Sequence, residues 1–160
     1  MVHVLFVCLG NICRSPLAEA IFNDKVRKRK LNNEIHSDSA GTSRYHINEP
    51  PDVRSLEVAR KNNIDIQHLG RQISAEDFAN FDYILAMDEE NLQDILQLQK
   101  KTGGKVRAEI HKMLDFDDQR SGNDVPDPYF GGPDGFDHVF NLLDQATNNF
   151  LEYTLKKHRQ

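Results

Sequence analysis

The stretch from Val4 to Ala18, VLFVCLGNICRSPLA, constrains the fold more than any other part of the chain. Val2 to Val7 is apolar at every position but His3, which suits a central parallel strand buried on both faces. The run ends on Cys8, passes through Gly10 and Asn11, and restarts at Ser15-Pro16, where serine suits an N-cap and proline a first helical position. Leu17, Ala18, Ile21, Phe22 and Val26 then recur at helical spacing, with Glu19 as an early acid. The turn between strand and helix carries the chemistry.

A cysteine at the mouth of a helix faces unpaired backbone N–H groups and the positive end of the dipole, an environment that favours thiolate and equally suits an oxyanion. Arg14 adds a planar fork able to grip two phosphate oxygens at once. Alone, Cys8 reads as a small buried hydrophobe. The pattern Cys-x-x-x-x-x-Arg-Ser between a strand and a helix reads instead as an anion cradle with nucleophile and guanidinium at opposite ends. It is not the nucleotide-binding P-loop, which needs a second Gly and a Lys before its Ser or Thr. A second candidate is Asp127, held between Pro126 and Pro128 in a stiff extended segment. An isolated Asp-Pro pair is a turn; beside a thiolate it is a proton donor in waiting.

Cys8-Leu9-Gly10-Asn11-Ile12-Cys13-Arg14-Ser15-Pro16 closely resembles the phosphate-binding loop of the low molecular weight protein tyrosine phosphatases, and the similarity covers nearly the whole chain. The resemblance implies a phosphocysteine on Cys8, phosphate held by Arg14 within a loop of Leu9, Gly10, Asn11, Ile12, Cys13 and Ser15, and Asp127 as general acid and then base. Ser15 matches the hydroxyl that eases departure of the thiolate, and Asn11 and Ser39 match positions that brace the loop. His68 and Asp88 match further supports, although by themselves they read as a surface histidine and a helix N-cap. Ile12, Tyr45, Tyr129 and Phe130 match the walls around an aromatic ring, in a slot too deep for a phosphoserine side chain to reach the sulfur.

The resemblance thus implies phosphotyrosine proteins and small aryl phosphates as substrates, inorganic phosphate as product, and neither metal nor cofactor. Phe130 departs from the many animal members with a second tyrosine there, and Arg44, His46 and Glu49 fall on a variable rim. Ile12 stands where arginine phosphatases of this fold carry threonine, which favours tyrosine. An arginine phosphatase, an arsenate reductase and a catalytically silent phosphate-binding module stay open as alternatives; the arsenate relay uses further cysteines, and none follows Cys13.

The remaining chain alternates in the same way. Ile35 to Gly41 predicts a second strand, Asp52 to about Asn62 a helix, and Ala75 to Phe78 a short helix capped by Ser74. Phe81 to Met87 predicts a third strand, followed by a helix with Leu92, Ile95 and Leu96 inward that Gly103-Gly104 ends. A fourth strand falls around Ile110 to Leu114, then a polar surface loop. Phe136, Val139, Phe140, Leu143, Ala146 and Phe150 mark a closing amphipathic helix. The expectation is one α/β domain over 1–160, a doubly wound four-stranded parallel sheet with helices on both faces and its site beyond the carboxyl ends of the strands.

A net charge of -5 offers no global attraction for nucleic acid or an anionic membrane, so anion binding must be local. The basic run Arg27 to Lys30 reads as solvated cations at a helix C-terminus. Two cysteines in one loop cannot staple a secreted fold, and neither a signal peptide nor an apolar span of ~20 residues is seen. A cytoplasmic protein is expected, a monomer with at most weak self-association. The paired thiols predict a reversible disulfide under peroxide.

Overall fold

The structure, a computed structural model, describes residues 1–117, 119 and 121–158, the Phe130 side chain excepted. Strands β1 (Val2–Cys8), β2 (Ile35–Gly41), β3 (Tyr83–Ala86) and β4 (Glu109–Lys112) form one parallel sheet in the order β2-β1-β3-β4. The continuous apolar run of β1 therefore lies inside the sheet, flanked on both sides, as a strand buried on both faces must.

Alternation along β1 feeds two cores. Val4, Phe6 and Cys8 join Tyr83, Leu85 and Met87 on one face. Helices α1 (Arg14–Lys28), α2 (Val53–Lys61) and α5 (Gly135–His158) cover them. Leu5 and Val7 join Ile84 and Ala86 on the other face, under α3 (Asp77–Asn80) and α4 (Glu89–Thr102). This is the doubly wound architecture, and the expected apolar stripes of α1 and α5 are all buried. Among the described residues no helix is long and apolar enough to cross a membrane.

Caps set both ends of α4 and the start of α2. Asp52 accepts from Arg54 N–H at the start of α2, Asp88 from Asn91 N–H at the start of α4, and Gly103 closes α4 at φ +58°, where a Cβ would be strained. Arg27 and Lys28 pair with Asp24, and Arg29 with Glu152, so the basic run is a salt-bridged surface.

Three local expectations are corrected. Ser15 does not cap α1: the helix starts at Arg14, Cys13 holds the cap position without a side-chain bond, and the Ser15 hydroxyl turns to the Cys8 sulfur instead. Ser74 does not cap the short helix either; the Asp77 carboxylate accepts the Ser74 N–H, and the helix begins at Asp77. The fourth strand stops at Lys112, because Met113 and Leu114 bury themselves from a 3₁₀ turn over Met113–Phe116 rather than by strand alternation.

Phe22 joins strand to helix in the larger core, edge-on to Phe6 at 5.5 Å and tilted against Phe150 at 5.6 Å. It is fully buried, so Phe22→Ala leaves a cavity and should cost about 3–5 kcal/mol of stability, read as a lower midpoint in urea unfolding with little change in slope.

Candidate active site

Cys8 ends β1 in register with Gly41 of β2, and Val7 pairs with Ala86 of β3, so the sulfur emerges where the order of strand connections reverses. The chain then turns tightly into α1, and the direction of its peptides makes the cradle. The carbonyls of Cys8 and Leu9 accept from Thr42 and Ser43 N–H, the Ile12 carbonyl from Asp52 N–H, and the Cys13 carbonyl from the Ser55 hydroxyl. A trans peptide that turns its carbonyl outward turns its N–H inward. The amides of Leu9, Gly10, Cys13 and Arg14 accordingly point away from those donors, and Asn11 N–H reaches Cys8 Sγ at 3.3 Å.

Asn11 is the pivot of this loop. At φ 58° it takes the left-handed conformation that asparagine tolerates, and its side chain is saturated. Nδ2 donates to Ser15 Oγ at 2.8 Å and Ser39 Oγ at 3.1 Å, while Oδ1 accepts from Arg71 N–H at 3.0 Å and lies 2.7 Å from His68 Nε2. Ser15 Oγ is also 3.0 Å from Cys8 Sγ.

Arg14 is 3 % exposed, and its NH1 donates to Asp88 Oδ2 at 2.7 Å and to the Val125 carbonyl at 3.0 Å. Burial works against its charge, but Cys8, Asp88 and Asp127 outweigh that and hold its pKa above the ordinary arginine value. Asp88 thereby does two jobs, Oδ1 capping α4 and Oδ2 aiming the guanidinium. NH2 turns to Asp127, with Oδ2 at 3.9 Å, while Asp127 Oδ1 accepts Tyr129 N–H at 3.0 Å.

These groups bound a cavity of about 210 Å³ lined by Cys8, Leu9, Gly10, Ile12, Cys13, Arg14, His46, Asp127 and Tyr129. A thiol, a pinned guanidinium and a carboxyl therefore meet in a slot with apolar sides. Cys13 shares the loop but is a different thiol: burial, then the charges of Asp52, Cys8 and Asp127, push it up to about 12, so it stays protonated at neutral pH. Both cysteines are free and buried. Of the sequence-predicted walls, Ile12 and Tyr129 line the cavity, Tyr45 is 82 % exposed and is not among the lining residues, and the Phe130 side chain lies outside the described residues. His46, placed by sequence only on the rim, is a lining residue, its Nδ1 held by Glu49 at 2.6 Å.

The sequence profile of the family described as low molecular weight phosphotyrosine protein phosphatase matches residues 3–160. The chain belongs to that family. A curated relative, the putative low molecular weight protein-tyrosine-phosphatase slr0328 of Synechocystis, is 45 % identical over 92 % of this chain and 93 % of its own length. The crystal structure of YfkJ from Bacillus subtilis superposes with a TM-score of 0.89 at 40 % identity, covering 100 % of this chain and 98 % of that one. Two structures described as arginine phosphatases also match. One, from Drosophila, has a TM-score of 0.87 at 34 % identity over 94 % of this chain and 96 % of its own. The other, YwlE with serine in place of a cysteine and that active-site serine phosphorylated, has a TM-score of 0.83 at 26 % identity over 99 % and 98 %.

Behind the loop, this low molecular weight phosphatase carries a buttress that spacing in the sequence does not reveal. Glu19 from α1, Asp38 from β2 and His68 place ligand-type atoms within 4.8 Å of one another, a grouping that could hold a metal ion. Each is already engaged: Ser39 Oγ donates to Glu19 at 2.6 Å, and Arg71 clamps Asp38 at 3.0 Å while its guanidinium also grips Asp77. His68, 9 % exposed at its side chain, is no surface residue. Because Asn11 Oδ1 can only accept, His68 Nε2 carries a proton to it, which leaves Nδ1 facing Glu19 at 3.4 Å and Asp38 at 3.9 Å. Burial pushes the imidazole down and the Glu19 carboxyl up to about 7.

The Glu19 shift carries a sign. With a folded pKa of about 7 above an unfolded value of 4.5, the folded chain holds a proton that the unfolded chain releases, so this contribution is complete below pH 4.5 and lost as pH rises through about 7. Glu19→Gln should flatten the stability profile over that range, by up to about 1.4 kcal/mol per pH unit, in denaturant unfolding followed as a function of pH.

Proposed function

We propose that this chain hydrolyses phosphotyrosine in proteins, together with small aryl phosphates, through a phosphocysteine on Cys8. The observation that carries this reading is the single cavity in which the Cys8 sulfur, the pinned Arg14 guanidinium and the Asp127 carboxyl converge. In the first step the Cys8 thiolate attacks phosphorus in line, the S–P bond forms as the P–O ester bond breaks, and the Asp127 carboxylic acid gives its proton to the departing phenoxide. In the second, the Asp127 carboxylate takes a proton from water, the water oxygen attacks phosphorus, and the thiolate leaves toward the Ser15 hydroxyl as inorganic phosphate is released.

Arg14 and the inward amides stabilise the equatorial oxygens in both steps, positioned in advance by Asp88, the Val125 carbonyl and Asn11. The phosphorylated serine of the YwlE variant supports a phosphoryl group on the corresponding atom in this fold. No residue role calls for a metal or cofactor. The free thiols suit a reducing compartment such as the cytoplasm, and the function needs only one chain.

Phosphoarginine is the second reading, because two of the matching structures are arginine phosphatases. The aliphatic Ile12 in the cavity wall offers a charged guanidinium no partner and favours a flat aromatic leaving group. An arsenate reductase lacks support, since Cys8 and Cys13 are the only cysteines.

Three assays test the proposal. Cys8→Ser should lower turnover of p-nitrophenyl phosphate on the order of a thousandfold or more, and unchanged turnover removes the proposal. Asp127→Ala should cost about 10²–10⁴ in kcat/KM for phenyl phosphate, a poor leaving group, and much less for p-nitrophenyl phosphate. A panel of matched phosphotyrosine, phosphoarginine and phosphoserine peptides should rank tyrosine first; arginine first would establish the second reading.

A further inference from the structure

Arg54 stands outside the cradle, in the first turn of α2. Its N–H, Nε and NH2 donate to the Asp52 carboxylate at 2.8, 3.0 and 3.0 Å. Asp52 gives its own N–H to the Ile12 carbonyl and Ser55 reaches the Cys13 carbonyl, so this end of α2 is bonded to the phosphate loop. The same guanidinium lies over the Tyr129 ring, 5.1 Å from its centroid, and over the Phe136 ring of α5 at 4.7 Å.

Asp127 sits between two attachments. On its N-terminal side, Val125 is fixed by its N–H to the Met87 carbonyl and by its carbonyl to Arg14. On its C-terminal side, Tyr129 donates its N–H to the Asp127 carboxylate and presents its ring to Arg54. A planar guanidinium held by a carboxylate and laid on two rings has few alternative orientations, because it is attracted by the ring faces and matched to the carboxylate fork.

We propose that Arg54 is a positioning residue that fixes the Asp127-Pro128-Tyr129 segment against the phosphate loop, so that the distance from the Asp127 carboxyl to the leaving oxygen is set by the start of α2. The proposal deepens the phosphatase reading and rests on Asp127 as the general acid. Loss of Arg54 leaves the backbone and hydroxyl bonds of Asp52 and Ser55 to the cradle while removing the guanidinium from the Tyr129 ring, so it should injure proton donation and spare phosphate binding.

The test is a double-mutant cycle of Arg54→Ala with Asp127→Ala, using phenyl phosphate and p-nitrophenyl phosphate. Arg54→Ala is expected to lower kcat/KM about tenfold for phenyl phosphate and less than about twofold for p-nitrophenyl phosphate. Competitive inhibition by inorganic phosphate, which reads the loop alone, should stay within about twofold, and adding Arg54→Ala to Asp127→Ala should cost nothing further. Arg54→Lys, which keeps a cation near the rings, should recover part of the phenyl phosphate loss. Equal losses for both substrates, weakened phosphate inhibition or full additivity with Asp127→Ala overturn the role of Arg54. Should Asp127→Ala itself show no preference between the substrates, the general-acid reading falls, and this proposal with it.

Discussion

A loop that turns successive N–H groups toward one sulfur must turn the matching carbonyls away, and a buried carbonyl without a donor is costly. Here the donors are supplied by the segment after β2, by the first turn of α2 and by the Ser55 hydroxyl. The left-handed Asn11 lets the chain make the turn, and its amide then ties the loop to Ser15, Ser39, His68 and Arg71. Thr42, Ser43, Asp52 and Ser55 satisfy the carbonyls that this inversion leaves pointing outward, and the Glu19 cluster supports the Asn11 and Ser39 side chains behind them.

The electrostatics follow the same logic. The chain carries a net charge of -5, so its overall field does not draw in an anion. Arg14 instead places a buried charge at the loop itself, with Asp88 and Val125 restricting one end of its fork and leaving the rest directed at the cavity. Such pinning removes reorganisation at the moment of reaction, which is where an oriented dipole or charge gains most over water. Cys13 marks a contrast within the same loop: burial and then neighbouring charges hold its thiol protonated, an environment that disfavours a thiolate.

Much of this was legible in the residues. The two-sided apolar run of β1 and the stripes of α1 and α5 place the strands and the sulfur, because periodicity reports burial directly. Ser15 and Ser74 misled because a hydroxyl before a helix looks the same whether it caps that helix or is claimed by another partner, the Cys8 sulfur in one case and the Asp77 turn in the other. Glu19 comes from α1, Asp38 from β2, and His68 and Arg71 from the irregular segment after α2, so no spacing could expose the buttress they form. Arg54 escaped notice since an arginine two residues after an N-cap is ordinary on a helix surface; only the rings of Tyr129 and Phe136, remote in sequence, give it meaning. The exposed Tyr45 and the inward His46 show the same blindness at single-residue scale, for a loop without regular periodicity does not tell which neighbour faces in.

The centrality of β1 divides the molecule into what can vary and what cannot. Since Cys8 terminates an interior strand and only five residues separate it from a core helix, the loop between them shares the cooperativity of the whole domain and cannot be softened alone. New preferences for protein partners have to be written instead on the irregular stretch between β2 and α2, where Tyr45 and Ile47 lie open to solvent and carry little of the fold. Recognition can thus drift while the phosphate loop stays anchored in the buried centre of the sheet.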